Sequence, residues 1–152
     1  MTDRSAFTDD EWRSLAEAPL QITLALAAVG PHGPISMAKE AAASARELAR
    51  PSEQGPADEL IAAIARDASG HEARHDVKAH SGKSPDQIVD AAFVGLKGAA
   101  AALAKVTPEE ATELRAWFGD IAKAVAGAAK SISSDEQAVI DRITAVFQPP
   151  TG

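Results

Sequence analysis

Hydrophobic residues recur at spacings of three and four along most of this chain, and no stretch alternates with the period of two that a half-buried strand requires. The pattern is clearest after residue 84. Val89, Ala92, Leu96, Ala99, Leu103 and Val106 form one seam, and Ala111, Leu114, Phe118, Ile121, Val125, Ala128 and Ile132 form the next. Ser84-Pro85-Asp86-Gln87 and Thr107-Pro108-Glu109-Glu110 open the two helices alike. Each supplies a hydroxyl N-cap, a proline where a missing amide costs nothing, and a Gln or Glu that can bond back to the cap amide. The short Thr-Pro connection between the seams predicts an antiparallel helical hairpin. Ala91, Gly95 and Ala99 lie on a second face of the former helix, where small side chains admit a neighbouring backbone, so that helix is expected to have partners on two sides.

The N-terminal half is organised around the charge-free stretch Ala18–Ala38, whose first part, Leu20 to Val29, is apolar on nearly every side when wound as a helix. Such a helix has to be surrounded by protein. It is too short and broken for a membrane span, which needs ~20 uninterrupted apolar residues. A first helix starts at Asp9, with Thr8 as N-cap, Glu11 completing a capping box and Phe7 stapled onto Trp12. Pro19 predicts an end or a kink there, and Gly30-Pro31-His32-Gly33-Pro34 a break. A further helix is expected from Ile35 or Ser36 to Arg50, stopped by Pro51. Another should open near Pro56, with Leu60, Ile61 and Ile64 on one face, and close at Gly70. His71 to Lys83 is a polar connecting segment, either loop or frayed helix. Ser133 with Glu136, or Ser134 with Gln137, caps a last helix with Val139, Ile140, Ile143, Val146 and Phe147 inward, ended by Pro149-Pro150. The expected fold is all-α: a single-domain helical bundle over residues 1–152, with about six or seven helices and a C-terminal antiparallel hairpin.

Composition sharpens this picture. The hydrophobic fraction is 45 % but aromatics supply only 4 %, so alanine dominates and helices should approach closely. The net charge of −7 argues against nucleic acid and anionic membrane as partners, because both are bound largely through Lys and Arg. With no cysteine, disulfides and thiolate chemistry are excluded. The acidic, polar start MTDRSAFTDDEW lacks the basic and apolar regions of a signal peptide, which makes the cytoplasm the expected location.

Few residues suggest chemistry. His71-Glu72-Ala73-Arg74-His75 matches H-E-x-x-H, in which His71 and His75 would hold zinc and Glu72 would act as general base. Gly70 directly before it, the lack of an apolar anchor until Val77 and the absence of strands to form a cleft edge favour a polar connecting segment instead. His80 could join as a third ligand only if the intervening chain bends. His32 sits in a tight turn without the spacing of a phosphate loop, and Lys39, Glu40, Glu47 and Arg50 read as solvated pairs. Trp12 is expected in the core. Trp117 and Phe118 are adjacent and point to different faces, so Trp117, if exposed, is the candidate partner contact. No cofactor is implied.

Two patches, FTDDEWRSLAEAPLQITLALAAVGPHGP with Lys39-Glu40, and TPEEATELRAWFGDIAKAVAGAAK with SSDEQAVIDRITAVF, resemble a family of small bacterial helical proteins. The shared motifs are structural and imply no reaction. The C-terminal part also resembles TerB-like (tellurite resistance) helical domains, in which an acidic residue and a glycine precede a Ser/Thr-x-x-Glu cap; here Ala129-Lys130-Ser131-Ile132 stands in that place. The leading expectation is a non-enzymatic protein acting through contacts with itself or another protein, as a homo-oligomer or accessory subunit. The alternatives are a zinc-dependent hydrolase built on the HEARH segment and a carrier of a small apolar ligand inside the bundle.

Overall fold

The computed structural model describes residues 3–29, 57–74, 84–127 and 132–148, without the side chains of 58, 69–74 and 85. The described residues are 90 % helical and contain no strand. The helices are α1 (Asp9–Val29), α2 (Asp58–Arg74), α3 (Pro85–Ala102), α4 (Pro108–Gly127) and α5 (Ser134–Phe147), with short 3-10 turns at Arg4–Ala6 and Leu103–Lys105. The expected break at residues 30–34, the helix over 35–50, Pro51, Pro56, His75 to Lys83 and Pro149-Pro150 lie outside the described residues.

Helix α1 is the axis of the bundle. It packs against each of the other four helices, and from Ser14 to Val29 no residue of it is exposed. Its start is fixed locally: the Glu11 amide donates to Thr8 Oγ1 at 3.2 Å, the Thr8 amide donates to Glu11 Oε1 at 2.9 Å, and the Phe7 and Trp12 rings lie 5.8 Å apart. Of the end or kink expected from the missing amide of Pro19, the end does not occur. Leu15, Ala16 and Ala18 before it and Ile22, Ala25 and Leu26 after it are all buried in the same core, so packing on both sides outweighs one lost backbone hydrogen bond. Gly70 likewise lies inside α2, which continues to Arg74; a helical glycine costs about 1 kcal/mol and does not by itself terminate a helix.

Helix α3 runs antiparallel along α1 and makes the most extensive contact with it. Lys105 Nζ donates to Glu11 Oε1 at 2.6 Å at one end, and Val29 and Val89 line the same pocket at the other. Between them, side chains of α1 come close to two glycines of α3. A Cβ on Gly98 would sit 2.7 Å from Ser14 Oγ, and one on Gly95 would sit 3.2 Å from Gln21 Cγ. Much of the small-residue face of α3 is therefore occupied by α1.

The predicted capping boxes of α3 (Ser84 with Gln87), α4 (Thr107 with Glu110) and α5 (Ser133 with Glu136) all form. Helices α3 and α4 each pack more extensively on α1 than on one another. Helix α5 packs on α4: Phe147 stacks on Phe118 at 5.0 Å and its carbonyl accepts from Arg115 Nε. Helix α2 is held through Asp67, which accepts from Trp12 Nε1 at 2.6 Å, and through the Ala57 amide, which donates to Glu113 Oε2 of α4 at 2.8 Å. One apolar cluster contains residues from all five helices.

Two glycines give contrasting tests, Gly98 at the α1–α3 contact and Gly119 on α4. Gly119 has nothing within 4 Å of its would-be Cβ. Gly119→Ala should therefore stabilise the protein by about 0.5–1 kcal/mol in urea unfolding. Gly98→Leu should destabilise it by about 1–3 kcal/mol through overpacking against Ser14.

The Glu11 carboxyl offers a pH test. Lys105 first, then the amide and hydroxyl of Thr8, draw its pKa from 4.5 down to about 2. A depressed folded-state pKa contributes stability above pH 4.5 that is lost as pH falls towards 2. Glu11→Gln should be less stable than the wild-type chain at neutral pH, and the two stability curves should converge over that interval.

Candidate functional site

Among the described residues, the most exposed large hydrophobic side chain lies on α3. Val89, Ala92, Phe93, Leu96, Ala99 and Ala102 are buried, yet the opposite arc carries Ala91, Val94 and Ala101, all exposed, with Val94 at 73 %. Asp86–Lys105 is the one stretch, among the described residues, long and apolar enough by length and composition to cross a membrane. Only 39 % of its apolar window is buried. Gln87, Asp90 and Lys97 are also exposed. On a helical projection Asp90 and Lys97 fall on one flank of Val94 and Ala91 on the other. Two turns separate Asp90 from Lys97, beyond the reach of an intrahelical pair.

The Asp90 flank borders α5. Arg142 lies with its guanidinium 4.0 Å from the centre of the Phe93 ring and 3.8 Å from Asp90 Oδ1. The aromatic face anchors the cation, while the Asp90 side chain is still 75 % exposed. Phe93 lies outside the three-four seam read from the sequence and is nevertheless 1 % exposed, because α3 packs on α5 as well as α1.

An open pocket of about 510 Å³ occupies the end of the bundle where α1 finishes and α3 and α5 begin. Val29, Val89 and Val139 give it an apolar lining, with Asp86, Asp135 and Arg142 adding charge. Two acids are buried without being reactive centres by position. Glu110 and Glu136, each 1 % exposed, are the third residues of capping boxes, where one carboxylate oxygen accepts from the cap amide. Among the described residues, Glu136 Oε2 has no hydrogen-bond partner. The sequence marked both as caps and gave no sign of their burial, which follows from neighbouring helices covering the first turns.

Of the sequence-predicted site residues, His71 and Glu72 lie on the helical backbone at the end of α2, with side chains outside the described set, and His75 and His80 lie beyond it. Among the described residues no group of three or more His, Cys, Asp or Glu is placed to hold a metal ion. Trp117 is a correction: it is buried at 7 %, with its ring 5.2 Å from that of Phe118, so it offers no surface contact. Adjacent residues diverge by 100°, but α4 packs on both α1 and α5, and its buried arc is wide enough to take both rings.

Comparison of the chain with family models, with curated proteins and with solved structures finds no match.

Proposed function

We propose that this protein is a non-enzymatic helical module acting through protein–protein contacts, either as a homo-oligomer or as an accessory subunit. The observation that supports this is the outer arc of α3, where the bundle's most apolar long helix leaves Val94 and its alanine neighbours facing outward. A helix with apolar residues on both sides gains from a second partner what its first does not cover. The expectation of six or seven helices belongs to the same proposal, since the run from Ile35 to Arg50 has the composition of one more. So does the antiparallel hairpin of α3 and α4 across the Thr-Pro connection. The likeness to TerB-like domains enters only as a helical scaffold, because the acid and glycine before the cap are replaced. The cytoplasm is the setting proposed for it.

Native mass spectrometry of untagged protein from its source tests this directly. The expected spectrum shows a stoichiometric assembly, with a second copy or with another chain. A bare single-chain mass overturns the proposal. One zinc ion retained per chain would favour the hydrolase on His71, Glu72 and His75 instead, and a bound small organic mass would favour a carrier, for which the end pocket is one space among the described residues.

A further inference from the structure

We infer that the outer face of α3 binds the same face of a second copy, in an antiparallel two-fold arrangement centred on Val94. This rests on the contact-module reading above and adds the partner and the register. The argument is the charge pattern around that residue. A two-fold axis perpendicular to two antiparallel helices leaves each flank facing the same flank of the copy, and reverses position along the axis. With a rise of 1.5 Å per residue, Asp90 lies about 6 Å to one side of Val94, and the copy's Lys97 lies about 4.5 Å to that same side. Both are on one flank, so each Asp90 meets a Lys97 of the copy, twice per dimer. The parallel arrangement turns the two Asp90–Lys97 flanks to opposite sides of the seam, where each faces the Ala91 flank of the copy and no Asp90 meets a Lys97.

The remaining positions suit the same register. Val94 meets Val94 on the axis, and Ala101 meets Gln87 two turns away. No bulky side chain stands on the described arc to hold the helices apart. Arg142 already neighbours Asp90, yet that carboxylate remains 75 % exposed and open to a further cation on its outer side. The charge of −7 per copy opposes approach at long range, but screening beyond ~8 Å at physiological salt confines that repulsion. One helix face buries less than the ~1,200–2,000 Å² of tight complexes, so dissociation in the micromolar range is expected.

Sedimentation velocity of the full chain, from low micromolar to millimolar protein, reads the association. Wild-type protein should dimerise. Val94→Glu sets two carboxylates against each other on the axis and should weaken the dimer about tenfold or more. Asp90→Lys and Lys97→Asp should each weaken it similarly, and the double exchange should recover most of the loss. These side chains are at the surface, and thermal melts of each variant confirm that the fold is kept. A monomer throughout, a dimer indifferent to Val94→Glu, or an exchange that fails to recover affinity overturns the inference. Binding of the wild-type chain to phosphatidylcholine vesicles, abolished by Val94→Glu, overturns it in favour of a lipid surface. If the contact-module reading holds but this one fails, native spectra show another chain bound while the purified protein remains monomeric.

Discussion

The close approach of α3 to α1 is the contact on which the rest of the bundle depends. It runs from the Glu11–Lys105 pair at one end to Val29 and Val89 at the other, and at Gly98 the space for a methyl group is already taken by the Ser14 hydroxyl. Alanine and glycine give little apolar area per residue, so a chain with 4 % aromatics must bury many backbone-close contacts instead of a few large side chains. A rod that is covered from Ser14 to Val29 by four neighbours is the geometry that permits this.

That arrangement also explains where the chain's few large residues lie. Phe93 is anchored under Arg142 where α3 meets α5, and Trp117, Phe118 and Phe147 fill the contact of α4 with α5. The peripheral contacts use larger groups because those helices stand further from the axis than α3 does. Asp67, which accepts from the Trp12 indole of α1, and Glu113, which accepts from the Ala57 amide just before α2, place α2 against this frame through polar contacts beside the core residues Leu60 and Ile64.

Local signals in the sequence proved reliable where the deciding interactions are local. Thr8 with Glu11, Ser84 with Gln87, Thr107 with Glu110 and Ser133 with Glu136 each start a helix where their spacing says they should, because a capping box closes within four residues. The signals failed where tertiary packing outweighs propensity. Pro19 reads as an end or a kink and Gly70 as a stop, yet neither ends its helix. The Thr-Pro link reads as a hairpin, and both helices it joins pack chiefly on α1. The candidate surface was only half legible: Ala91 stood out as small, but which side of α3 faces inward depends on α1 and α5, and the outward aim of Val94 follows from that alone. The burial of Trp117 has the same origin.

The central claim is that α1 is the axis whose exposure requires the whole bundle to open. Native-state hydrogen exchange in increasing denaturant measures this most directly, because it separates local opening from global unfolding residue by residue. The account predicts that the amides of Ile22 to Leu26 exchange with the free energy of global unfolding, at or above every other helix. Exchange of those amides through a smaller, local opening, while α4 and α5 remain protected, would contradict it.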